Sequence, residues 1–504
     1  MEKHLSYVSK LSLQEMALRR VAVVLWSDSD ILASIGKFRF RYDKYQKEWQ
    51  ETIEGKVADK VSKLQLPESL KKQMMQILKP IGLQILRWKM FHEAYVSNSS
   101  ANYDVPILAK LCWTTSGAVD YQKTAEKLIR SDVVDIVKRY ILACLYCMED
   151  CIPEFWKELP EEHKTYFYVE DSTPIEEPHL EFCWPYILEG KESKLDDMPG
   201  RRGGPTRFHR YAFEYSAHKG NKAAAEYFFQ KLTHEEREAT LIRTAQAVVS
   251  SRNMDLYRLT SYHDFPKEKV SDVLCYLLSL MTQEEQIRIF NEQPCEVLKC
   301  FLDWPLQDFF LDIADFIWTF LPERDYSSLL WNMTRSIQNT SYYFPNLFQN
   351  FFLRSPINFR KHFVDRECQF GSFFPEFFNI EDTETIKVIF RNVDTADRVR
   401  LVSSEHVFKL FYNFILRGRW RIVEVCLLEA TLSKEDKERL KKDFMEFLKE
   451  MDRGQIKWRK RKWRRFFEFL DGKDARAHRK RSMEDETLTK AKKLCCEGLG
   501  SCTK

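Results

Sequence analysis

Along most of this chain apolar residues recur every three to four positions, the period of a helix with one buried face. Ser12-Leu-Gln-Glu15 opens the first such stretch as a capping box, and Leu13, Met16, Ala17, Val21 and Val24 follow at helical spacing. A second long stretch starts at Pro67 and runs through Met74, Ile77, Ile81 and Ile85, where Pro80 is expected to kink or split the helix. Val133 to Cys151 reads as another. Between residues 170 and 207 the pattern breaks: five prolines mix with Gly190, Gly200, Gly203 and Gly204, which predicts a long loop or domain junction. Helical spacing resumes at Phe208 and runs to about Leu470, with no proline after Pro375.

Aligning the helix starts exposes a repeat. Leu232-Thr-His-Glu-Glu236 and Met281-Thr-Gln-Glu-Glu285 are the same device, an apolar residue followed by a T-x-x-E capping box. Looser copies begin at Leu159, Leu321, Val393 and Leu432, and a further unit is expected near Ser355-Pro356. The spacings fit a period near 36–40 residues, one helix pair per unit. Two stretches show the pair itself: Tyr215 to Phe229, turning at Gly220, and Asn413 to Leu427, turning at Gly418. Glycine at these turns can take the left-handed conformation that ends the first helix. Val248 to Leu259 reads as a third copy, with Arg252 in the glycine's place.

These two stretches resemble the inner helix pair of ankyrin repeats, A-A-x-x-G-H-x-x-x-V-x-x-L-L. Asn221 stands for the histidine, Ala225 for the valine, and Phe228 and Phe229 for the leucine pair. The T-P-L-H entry and the G-A-D exit of that family are missing, and an L-T-x-E-E-R helix start replaces the exit. The chain as a whole, from Ser12-Leu-Gln-Glu-Met-Ala-Leu-Arg-Arg20 onward, resembles the large ankyrin-like families multiplied in arachnid genomes. That likeness implies stacked helix pairs and no particular activity.

Composition narrows the class. Only 15 of 504 residues are glycine, and none falls between Gly220 and Gly371, which disfavours glycine-dependent β and phosphate-binding folds there. No apolar run reaches the ~20 residues of a membrane helix, and the first residues lack the apolar core of a signal peptide. The 13 cysteines are odd in number and scattered, so they read as reduced thiols of an intracellular protein, cytoplasmic or nuclear. In that setting the N-x-S/T triplets at Asn98, Asn332 and Asn339 carry no sugar.

Motifs for chemistry are sparse. Cys144, Cys147 and Cys151 would share one stripe of a helix, with His163 the nearest fourth metal ligand, but the surrounding Ile141, Met148 and Ile152 favour core packing. His92-Glu93 and His234-Glu235 begin like a metalloprotease helix, yet Val96 and Glu238 occupy the second histidine position. Glu235/Glu236 and Glu284/Glu285 sit in first turns, where the helix dipole favours negative charge. Pro199 and Pro205 bracket Gly200-Arg-Arg-Gly-Gly204, which reads as a linker rather than an anion loop. Residues 301–378 hold 22 aromatics, more fitted to core between helix pairs than to a groove. No phosphate-binding or nucleophile-elbow motif occurs, so neither a catalytic activity nor a cofactor is expected.

Charge supplies the strongest local signal. The net charge is only +4, but residues 453–481 hold 13 Lys/Arg against 3 Asp/Glu. Within them a helix would align Ile456, Trp463, Phe467 and Leu470 on one face, expected against Phe444–Leu448, leaving Lys457, Arg459, Lys460, Arg461, Lys462, Arg464 and Arg465 as candidates for polyanion binding. The overall reading is an all-α solenoid of degenerate helix-turn-helix, ankyrin-like repeats: an N-terminal helical region (1–169), a Pro/Gly-rich junction (170–207), repeats (208–452), a basic amphipathic helix (453–472) and a polar tail (473–504). Its expected role is a non-catalytic scaffold for protein partners. The alternative is binding of nucleic acid or an anionic surface through 453–481.

Overall fold

The computed structural model describes residues 11–38, 45–96, 105–168, 179–197, 207–252, 265–339, 344–452 and 460–472. Among them regular structure is helical, with a single antiparallel bridge between Trp113 and Val119 and no strand. No described helix is long and apolar enough to cross a membrane.

The helix starts follow the local chemistry. Ser12 and Glu15, Thr233 and Glu236, and Thr282 and Glu285 each form a reciprocal capping box. Ser433 and Asp436 bond each other's backbone amides in the same way. Leu159, Leu232, Met281, Leu321 and Val393, the apolar residues that lead these starts, are buried.

Helix ends share a second device. At Gly220 the amide donates to Ala217 O and that of Asn221 to Ser216 O, with φ +83° at the glycine. The same pair of bonds recurs at Gly418, φ +77°, from Gly418 N to Ile415 O and from Arg419 N to Phe414 O. This is the Schellman ending, which satisfies carbonyls the helix leaves open. It also occurs at Cys147, Gly190 and Glu381, whose φ values are +49°, +67° and +55°. At Arg252, by contrast, the backbone is right-handed, and residues 253–264 of that expected copy lie outside the described residues.

The chain divides into two compact units, residues 1–325 with 336–347, and 326–335 with 348–504. The division falls within the stretch 208–452. The segment 170–207 contains a helix, Leu180–Leu188, and a 3₁₀ turn, Glu192–Asp197, so the described part of the junction is folded. Pro185 inside this helix is buried and packs with it. Long-range polar contacts tie the N-terminal region to later segments of the same unit. Arg19 makes a bidentate pair with Asp308 at 2.8 and 3.0 Å, and Asn221 donates to Leu145 O at 2.8 Å.

In the first unit Leu13–Trp26 packs on Glu68–Val96, which runs through Pro80 without ending. Of the expected kink or split, the split does not occur. Trp26, fully buried, stacks on Trp49 and donates its indole N–H to Leu78 O at 2.9 Å.

In the second unit two helix hairpins occur in succession, Phe374–Asn379 with Thr383–Arg391 and Glu405–Leu416 with Trp420–Glu429. Their left-handed residues, Glu381 and Gly418, are 37 positions apart. Each hairpin leads into another helix, Thr395–Ser403 and Lys434–Asp452. Thr383–Arg391 lies against Trp420–Glu429, and Thr395–Ser403 against both Ile357–Phe370 and Lys434–Asp452. Most of the aromatic-rich stretch is core here: Phe348, Phe351, Phe352, Phe363, Phe374, Phe377 and Phe378 are fully buried.

Glu367, 1% exposed, joins two helices of this unit. Its carboxylate accepts the amides of Phe373 at 2.7 Å and Phe374 at 3.2 Å, across the left-handed turn at Gly371. Burial outweighs these bonds and pushes its pKa up to about 7. A raised native pKa means the folded protein holds this proton more tightly than the unfolded chain. The stability it contributes is complete below the ordinary value of 4.5 and is lost as pH rises to about 7. At 1.36 kcal/mol per unit the loss is about 3 kcal/mol. Between pH 5 and pH 7.5 about 2 kcal/mol of this falls, so urea unfolding at the two pH values should show their difference narrowing by about that much in Glu367→Gln; an unchanged difference would refute the assignment.

Candidate functional site

An open cleft of ≈ 920 Å³ in the first unit is lined by side chains from separate elements. Asp120 caps Tyr121–Ile129 and so presents Tyr121 at the cleft edge. The Gly220 turn contributes Asn221, Lys222 and Ala223. Asn221 is held twice, accepting from Ala224 N and donating to Leu145 O. The helix Lys267–Leu280 lends Lys269, Asp272, Tyr276 and Ser279, one stripe at helical spacing. Pro305, Leu306 and Phe309 complete the lining.

The charges are matched in pairs. Lys269 Nζ lies 2.9 Å from Asp272 and 4.4 Å over the Tyr121 ring. Lys222 lies 3.3 Å from Glu226 and 5.9 Å over the Tyr276 ring. Behind the lining, His92 Nδ1 donates to Trp88 O at 2.9 Å, because a carbonyl can only accept. His92 Nε2 therefore accepts from Tyr146 OH at 2.7 Å, which fixes the Tyr146 ring at the cleft. Burial holds the His92 pKa down at about 3, so the ring is neutral at neutral pH. Burial also pushes the Cys275 thiol far above its ordinary value, which leaves no thiolate at the cleft. The cleft surface thus combines aromatic faces with paired charges and a neutral histidine behind it, and the buried Tyr121 hydroxyl has no hydrogen-bond partner.

The other sequence candidates have plainer places. Cys144 and Cys147 are buried, and burial raises both thiols. They do not share a helical stripe with Cys151, because Ile136–Leu145 ends before Cys147 takes its left-handed conformation. Among the described residues no group of three His, Cys, Asp or Glu is placed to hold a metal.

Of the basic segment, Lys457 and Arg459 lie outside the described residues, as does Ile456. Lys460, Arg461 and Lys462 lie in the helix Lys460–Leu470, whose side chains are described from Trp463 onward. Trp463, Phe466 and Leu470 are buried, while Phe467 is only half-buried. Phe466 rests 4.4 Å from Phe444 and Phe467 6.4 Å, so Phe466 takes the central place expected of Phe467. The reason lies in the contact with Trp420 and Phe411, which draws the buried stripe toward position 466. Arg464 is exposed and paired with Glu468. Arg465 lies over the Trp420 ring at 5.2 Å.

The cleft itself was not visible in the sequence beyond Gly220 and Asn221, which form one part of its lining. The stripe Lys269, Asp272, Tyr276 and Ser279 carried a helical signal, but no cue for its outward face. Comparison of the chain with protein-family models and with curated proteins finds no match.

Proposed function

We propose that the protein is a non-catalytic scaffold in which ankyrin-like helical repeats display side chains to protein partners, and that the cleft of the first unit receives a segment of such a partner. The observation that carries this reading is the cleft: ≈ 920 Å³, open, lined by Tyr121, Tyr146, Phe265, Tyr276 and Phe309 among paired charges. Aromatic anchors with a polar surround are the usual makeup of a protein-binding site. The side-by-side packing of corresponding helices at a 37-residue interval in the second unit supports stacked repeats. Free thiols at all ten described cysteines support an intracellular location, cytoplasmic or nuclear.

The test is a random peptide library on phage, panned against the whole protein. Enriched peptides should compete with one another. They should lose affinity about tenfold on Tyr276→Ala, which removes an aromatic anchor, and on Ser279→Arg, which obstructs the cleft. Peptides indifferent to both substitutions, or no enrichment at all, would overturn the assignment.

A further inference from the structure

Four arginines gather around the turn between Glu405–Leu416 and Trp420–Glu429 in the second unit. Arg417, Arg419 and Arg421 are exposed, and Arg465 of the helix Lys460–Leu470 lies over the ring of Trp420, which stands between Arg419 and Arg421 in the chain. Among the described residues the side chains of Arg417 and Arg421 have no ion-pair or hydrogen-bond partner. The acidic groups nearest the other two are Glu381, 3.5 Å from Arg419, and Glu424, 3.7 Å from Arg465. Four guanidinium groups against these two carboxylates leave the cluster net positive.

Two features prepare these guanidinium groups. Arg419 lies 5.8 Å over Phe414, as Arg465 lies 5.2 Å over Trp420. A ring beneath the flat face holds the group in orientation and directs its N–H edge sideways, the geometry that meets phosphate oxygens in pairs. The turn also stands clear: a Cβ on Gly418 would meet nothing within 4 Å. A bulky anion can therefore approach the backbone closely.

We propose that this turn binds the phosphate backbone of duplex nucleic acid, independently of base sequence. The site is separate from the cleft and does not rest on its assignment. Phe414 beneath Arg419 and Trp420 beneath Arg465 are buried, as are Trp463 and Phe466. They can neither stack on the bases of a single strand nor enter a lipid interface. Rows of phosphates presented by a stiff duplex match a set of exposed, oriented arginines.

The experiment uses the full chain and a fluorescein-labelled 20-base-pair DNA duplex, followed by anisotropy over a salt series. Replacing Arg417, Arg419 and Arg421 together by glutamine should weaken binding and shrink the salt slope by about 2 to 3, at roughly 0.9 per phosphate contact. A variant with Arg476, Arg479, Lys480 and Arg481 replaced by glutamine should retain the slope that the turn contributes. If the triple variant melts early, Arg417→Gln alone should reduce the slope by about 1 without breaking a contact. An unchanged slope in the turn variants overturns the proposal. So does binding to phosphatidylserine vesicles with none to the duplex.

Discussion

Gly220→Val should destabilise the protein by about 3 kcal/mol, and Gly418→Val by only about 1 to 2. Both glycines carry φ near +80°, where a side chain branched at Cβ is strained. Strain alone makes the two turns equal, as their sequence patterns suggest. Their surroundings separate them. A Cβ at Gly220 would sit 3.0 Å from the Val270 amide nitrogen and 3.2 Å from Phe265 Cβ. The first of these is backbone of a packed helix and cannot give way. At Gly418 the same atom points into open space. Urea unfolding of the two variants measures the difference; equal losses would mean that the Gly220 turn is not packed against Val270. Gly220 also lines the cleft, so its variant should bind cleft-directed peptides less well even where it remains folded.

Gly82→Ala should cost about 3 kcal/mol, against the usual rule for a glycine inside a helix. Helix propensity by itself favours alanine by about 1 kcal/mol. Here the new Cβ would lie 2.1 Å from Trp26 Cζ2 and 2.5 Å from Cη2, well inside contact distance. The indole has nowhere to go. It is fully buried, stacked on Trp49 at 5.8 Å and tied to Leu78 O. Steric conflict at this close crossing therefore outweighs propensity. Trp26→Phe removes the atoms that collide, so the double variant Trp26→Phe/Gly82→Ala should be less destabilised than the sum of the two single variants. A Gly82→Ala protein as stable as the parent, or more so, would show that the two helices can separate without penalty.

Helical class, the capped helix starts and two of the turns could be read directly from the residues. Each depends on interactions a few positions apart. A serine or threonine three residues before a carboxylate satisfies open amides wherever the chain goes next, as at Ser12, Thr233, Thr282 and Ser433. Glycine at 220 and 418 marks a left-handed turn because it pays least for that conformation. Local signals failed where packing overrides preference. Cys147 and Glu381 take the same left-handed ending without glycine, held there by two backbone bonds at each turn. Pro80 does not end its helix, and Pro185 sits buried within another. The position of the unit boundary, the choice of Phe466 over Phe467 and the lining of the cleft all join residues far apart in sequence. Asn221 meets Leu145, Arg19 meets Asp308, and Phe466 meets Phe411. Such pairings depend on which buried surfaces meet, a property of the folded chain that helical periodicity leaves open: periodicity selects the face each helix buries, and tertiary packing selects what lies against it.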